Sequence, residues 1–207
     1  MKTGIIIALI LIIGIGLIFI NKNRKKDSIS DKLNTRAKGT IFYHEDDFCQ
    51  IQLLPDDNFS WLIKQAENVA DFSEKHRDGY GYTDMMVREE EKIKLVEKKI
   101  LVAEVDSLFD KLKTTRHTEV TTGYGQDYRI LSENTIGFGQ GYSAIYFDYE
   151  GELVSNIWMT NISSFDKEKL INVFLSLGKK WNLLLMDWNS LELVDLKNKE
   201  QIEQYLN

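Results

Sequence analysis

The sequence predicts an α+β domain, with a mixed, largely antiparallel sheet and three to four helices, preceded by one N-terminal transmembrane helix. Three observations lead there. The run from Gly4 to Ile20 is apolar throughout and closes on Lys22, Arg24, Lys25 and Lys26. Tyr142 to Tyr149 and Glu152 to Met159 are two strand-like runs around Glu150-Gly151, the X-Gly turn of a β-hairpin. Segments with apolar residues at helical spacing interrupt the strand-like runs irregularly, without the regular βαβ alternation of a parallel α/β fold.

The first run carries no charge over 17 residues. At about 1.5 Å per residue it spans roughly 25 Å, near the lower bound for a helix crossing a bilayer. It lacks an Ala-x-Ala-like cleavage site, so it reads as an uncleaved signal-anchor; a cleaved signal peptide would instead export the domain. Four basic residues follow it and only Lys2 precedes it, which places the soluble part in the cytoplasm, N-out and C-in. Residues 1–26 are thus a transmembrane anchor with a basic collar that meets the membrane through residues 4–20. Residues 27–39 are a polar linker, and 40–207 form a single α+β domain of ordinary size.

Charge narrows the partner. Five of the 26 Lys and Arg and none of the 32 Asp and Glu lie in the first 26 residues, so the remainder carries a net charge of −11. Nucleic acid is excluded as a ligand, because that binding needs basic residues to displace counterions. An acidic surface suits a basic protein through electrostatic steering, or serves solubility alone. With a single cysteine, Cys49, no internal disulfide forms.

In chain order, Thr40–Glu45 and Phe48–Leu54 read as two strands joined by a hairpin turn at Glu45-Asp46-Asp47, with Cys49, Ile51 and Leu53 on the apolar face. Asp56-Asp57-Asn58 supplies a cap for a helix in which Phe59, Leu62, Ile63, Ala66, Val69 and Ala70 recur, ending near Lys75. A third strand is expected at Tyr82–Arg88, an exposed turn at Glu89-Glu90-Glu91 and an edge strand at Lys94–Val96. Val105, Leu108, Phe109 and Leu112 mark a second helix, and Glu119–Thr122 a strand. The Gly- and polar-rich stretch 123–141 shows little periodicity. After the hairpin, Ser164-Phe165-Asp166 caps a third helix with Leu170, Ile171, Phe174, Leu177 and Trp181 on one face. Asn182–Trp188 is apolar enough for a central strand, Leu191–Leu196 follows it, and Asn198 with Gln201 resembles a capping box before a last helix.

The residues that can carry chemistry are few. His44, Asp46 and Asp47 form the densest set of metal donors, yet consecutive turn residues point apart and neither His76 nor His117 has ligand spacing to them. Cys49 on an apolar face reads as an inert core thiol. The glycines of 79–82 and 137–141 lack Walker or Rossmann spacing and read as turns. Asp84, Asp148 and Asp187 lie in expected strands, with structural roles the more frequent for such acids. Tyr and Trp anchor protein interfaces, so Tyr80, Tyr82, Asp84, Tyr124, Tyr128, Trp158 and Trp188 are the expected partner-binding set, with Tyr142 beside them. No cofactor is implied.

Phe42-Tyr43-His44-Glu45-Asp46-Asp47-Phe48-Cys49-Gln50-Ile51-Gln52-Leu53-Leu54-Pro55, Leu185-Met186-Asp187-Trp188-Asn189, and Asp195-Leu196 through Tyr205-Leu206 resemble small bacterial α+β immunity proteins of polymorphic toxin systems. The resemblance covers about a third of the chain, carries no catalytic signature, and implies a non-enzymatic protein that captures a toxin. The leading expectation is a membrane-anchored protein-binding module. The alternatives are a metal-dependent hydrolase using the His44–Asp47 turn and a non-catalytic envelope accessory protein.

Overall fold

The computed structural model describes residues 40–125 and 128–207. The expected span, collar and linker lie outside them. Among the described residues, no helix is long and apolar enough to cross a membrane.

Ile41–Asn207 forms one compact unit of α+β type with mostly antiparallel sheets. Its strands are β1 (Ile41–His44), β2 (Ile51–Pro55), β3 (Arg77–Asp78), β4 (Gly81–Tyr82), β5 (Arg116–His117), β6 (Val120–Gly123), β7 (Arg129–Ser132), β8 (Thr135–Gln140), β9 (Ser143–Glu150), β10 (Leu153–Met159), β11 (Leu183–Asp187) and β12 (Glu192–Asp195). The helices are α1 (Phe59–Lys75), α2 (Val102–Phe109), α3 (Lys167–Trp181) and α4 (Lys199–Tyr205). A seven-stranded sheet runs β12-β11-β2-β10-β9-β8-β5, every neighbouring pair antiparallel. A three-stranded sheet runs β1-β6-β7, with β1 parallel to β6.

Period-two alternation along β9 assigns the two faces of the large sheet. Ile145 and Phe147 join the larger core, where Leu53, Phe138, Ile157 and Leu185 meet Phe109 of α2, Phe174 of α3 and Ile202 of α4. Ala144 and Tyr146 face the other way and meet Ile41, Tyr43 and Val120 of the small sheet, together with Trp158. Farther along that second face, Leu54, Leu184 and Met186 are covered by Trp61 and Leu62 of α1 and by Trp188.

The helices follow their sequence signals. Asp166 caps α3, its side chain accepting from the Lys169 backbone N–H. Asn198 caps α4 by accepting from the Glu200 and Gln201 N–H groups, while Gln201 turns away to accept from Asp195 N–H, so the capping box is incomplete. Asn58 precedes α1 but is buried and makes no capping bond. It exchanges two hydrogen bonds with the Ile93 backbone, at 2.8 and 3.0 Å.

Several expectations are corrected. Thr40–Leu54 is not a hairpin: Glu45–Asp47 is a single 3-10 turn, β1 enters the small sheet and β2 the large one. Cys49 lies in the connection, left-handed at φ 56°, rather than on a strand. The strand expected at Tyr82–Arg88 shrinks to the two-residue β4, leaving Asp84 in irregular chain, and Leu95–Lys98 is a 3-10 helix instead of an edge strand. The stretch 123–141 holds β7 and β8. Gly137 weakens the apolar signal of β8, and its reason is steric: a Cβ there would stand 3.0 Å from both the Ile41 side chain and the Tyr146 ring, so its absence lets β1 lie against the large sheet. The strand expected to be central, β11, lies second from the edge, yet all five of its residues are buried.

Candidate functional site

The sequence-selected aromatic residues separate into three places. The first is the projection after α1. Asp78 accepts from the backbone N–H groups of Tyr80 and Gly81, and His76 C=O accepts from Thr83 N–H and Oγ1, which closes the β3–β4 hairpin. Asp84 faces the His76 ring at 3.8 Å. Beyond it, Arg88 donates to Cys49 C=O, Gln65 donates to Glu89, and Ile93 is held by Asn58. Between these ties the apolar side chains point outward: Tyr80 is fully exposed, Tyr82 64%, Met85 90% and Val87 91%. Isolated exposed apolar residues are ordinary, but four within eight positions concentrate exposed apolar surface on one tied loop.

The second place joins two sets that the sequence kept apart. The His44 ring stands 5.9 Å from that of Tyr124, which in turn stands 6.4 Å from Tyr128. Glu45 beside the Tyr124 hydroxyl raises its pKa above the ordinary phenol value. His44 Nδ1 accepts from Asp46 N–H and lies 3.4 Å from the Asp46 carboxylate, so this imidazole is occupied by its own turn. Among the described residues, no three His, Cys, Asp or Glu side chains gather into a metal-holding group.

The third place is interior and overturns two expected contact residues. Trp158 has no exposed surface: it stacks on Tyr146 at 4.3 Å and packs edge-on to Tyr43 and Phe48. Trp188 is 5% exposed and lies beneath the Arg88 guanidinium, 4.5 Å from its ring centre. Both belong to the core because the small sheet covers the face of β10 that carries Trp158, and Arg88 lies over Trp188 just past the end of β11.

Beside Trp158 runs a polar chain that sequence reading missed. Tyr43 and Ser132 hydroxyls are 3.2 Å apart, Ser132 and Thr135 2.8 Å, and Thr135 Oγ1 donates to Asp148 at 2.7 Å. Since Thr135 gives its one hydroxyl hydrogen to Asp148, Ser132 donates to Thr135 and Tyr43 to Ser132. Asn156 Nδ2 completes the group, 3.4 Å from Asp148 and 3.0 Å from Cys49 Sγ. Burial raises the Asp148 carboxyl above its ordinary range against the pull of the Thr135 and Asn156 hydrogen bonds. Burial likewise pushes the Cys49 thiol up to about 12, which leaves it protonated and a poor nucleophile. These residues are scattered from 43 to 156, so no local motif marks them. Asp187, by contrast, pins the β11–β12 turn, accepting from Asn189 N–H and from the Tyr205 hydroxyl.

No protein-family model matches the chain, and neither does any curated protein or solved structure. The reading of its function therefore rests on the surfaces themselves. They comprise an outward aromatic and aliphatic loop, a tyrosine pair beside a strand edge, and a buried carboxyl-centred network.

Proposed function

We propose that this chain is a single-pass membrane protein whose acidic cytoplasmic domain captures a basic protein partner, without catalysing a reaction. The observation that carries this reading is the tied loop presenting Tyr80, Tyr82, Met85 and Val87 to solvent. Apolar side chains held outward by a hydrogen-bonded loop are preorganised for an interface, so less ordering entropy is lost when a partner covers them. Asp78, Asp84 and Glu89-Glu90-Glu91 share this segment with Arg77, Arg88, Lys92 and Lys94, and Glu90 is paired with Lys94, so it is the −11 balance outside the N-terminal 26 residues that favours a basic partner. The resemblance to immunity proteins supports a toxin as that partner, and the apolar run 4–20 supports the membrane anchor.

Chemical crosslinking of the full chain in its native membranes tests this. The wild type should capture a specific basic protein, and Tyr80→Ser combined with Val87→Ser should weaken that capture at least about tenfold, as expected when interface anchors are truncated. Equal capture by the variant, or a partner with an acidic surface, overturns the assignment of this loop.

A further inference from the structure

Among the described residues, the small sheet ends at β7 with no strand or helix laid along its outer edge. Among the described residues β7 pairs only with β6, so its far side presents free backbone N–H and C=O groups. Natural edges are blunted by lysine, proline, a bulge or a covering element. Here Ile130 and Leu131 are 47% and 43% exposed, and the only cation between residues 124 and 135 is Arg129. Arg129 is withdrawn, its Nε donating to Gly125 C=O and its guanidinium lying 4.3 Å over the Phe42 ring. The edge is also tied down: Ser132 is held by Tyr43 and Thr135, and the whole of β7 is in register with β6.

We propose that β7 is a strand-addition site that accepts an extended, cationic segment of a protein partner. Strand addition draws affinity from backbone pairing and selectivity from alternate side chains, here meeting Ile130 or Leu131 with the Tyr124–Tyr128 pair alongside. Charge selects the occupant. Glu133 follows one end of the strand, while Glu45 and Asp46 stand near the other, beside Tyr124. A second copy of the chain is disfavoured in either direction: an antiparallel β7 pair sets Glu133 against the partner copy's acidic end, and a parallel pair sets like ends together. A segment with Lys or Arg flanking alternating β-branched residues meets no such repulsion. This site stands apart from the 80–87 loop and does not depend on that loop binding anything.

The test is selection of random phage-displayed peptides on the full chain in detergent micelles, followed by binding of the enriched peptides to variants. Enrichment of Lys- or Arg-flanked peptides with alternating Val, Ile, Thr or Tyr is expected, with binding at least about tenfold weaker to Ile130→Lys or Leu131→Lys. N-methylation of the best peptide should abolish binding at one alternating set of its amides and leave the other set tolerant, a signature that side-chain adsorption does not give. Tyr80→Ser should leave this binding unchanged, which separates failure here from failure of the loop. Enrichment of acidic, helical or proline-rich peptides, equal tolerance of N-methylation at every position, or a dimer of the chain itself lost in Ile130→Lys, each overturns the proposal.

Discussion

The two faces of the seven-stranded sheet are built for different ends. One is a continuous apolar layer, where Phe147, Ile145 and Leu53 meet α2, α3 and α4 with their apolar side chains buried. The other is divided: α1 covers the β2 and β11 end, the small sheet covers the β9 and β8 end, and the Asp148 network runs beneath the small sheet. The continuous face supplies most of the hydrophobic stabilisation, in proportion to the apolar area it hides. The divided face gives up some apolar burial and gains rigid, irregular cover, from which the exposed loop and the open edge project. Its polar interior holds the chain of hydroxyl bonds from Tyr43 through Ser132 and Thr135 to Asp148, which ties the small sheet to β9, while the Trp61 and Trp188 Nε1 groups are buried without a hydrogen-bond partner among the described residues.

Neighbouring residues on β9 provide the sharpest way to break this contrast. Phe147→Ala empties part of the continuous core and should cost about 3–5 kcal/mol in urea unfolding. Tyr146→Phe, one residue along and on the divided face, removes the hydroxyl with its 3.5 Å hydrogen bond to Phe42 C=O and its hydrogen bond with Thr160, and should cost about 1 kcal/mol. Equal costs would mean that the Tyr146 hydroxyl on the divided face is worth as much as the Phe147 ring in the continuous core.

A smaller effect should appear in the pH dependence. Because burial raises the Asp148 pKa, the folded chain keeps this proton at pH values where the unfolded chain has released it. Its contribution to stability is therefore greatest below the unfolded carboxylate value of about 3.9 and falls as pH rises to the raised folded value, by about 1.4 kcal/mol per unit of the rise. Subtracting the unfolding free energies of Asp148→Asn from those of the wild type across a pH series should expose that decline. Parallel curves would show that the carboxyl titrates as if it were exposed.

The smallest effect on stability belongs to the loop. Val87→Ser and Tyr80→Ser should each change the unfolding free energy by no more than about 0.5 kcal/mol, since neither side chain is buried. A larger loss would assign these residues to packing instead of contact.

The helices were legible in the sequence because their signals are local. Apolar spacing in α1 and α3 and the caps at Asp166 and Asn198 depend on residues within a few positions. The β9–β10 hairpin was legible for the same reason, its turn lying between two alternating runs. Pairing across long separations was not. Glu45-Asp46-Asp47 has the composition of a hairpin turn, and nothing nearby shows that β1 joins β6 about 80 positions later while β2 is claimed by β10 and β11. Tyr124 and Tyr128 were found as exposed aromatics, but Trp158 was chosen on residue type alone, and type does not say that a second sheet covers its face of β10.

By itself, then, the sequence determined the α+β class, the helix positions, the main hairpin, the acidic charge outside the N-terminal segment and the apolar run at 4–20. These follow from periodicity, turn chemistry and composition. Only the tertiary structure decided that the early strands part into two sheets, that Trp158 and Trp188 are core, that a carboxyl-centred network lies under β1, and that among the described residues β7 pairs on one side only. Each of these depends on which distant segment reaches a given backbone edge or side chain first, a competition among non-local contacts that no window of neighbouring residues records.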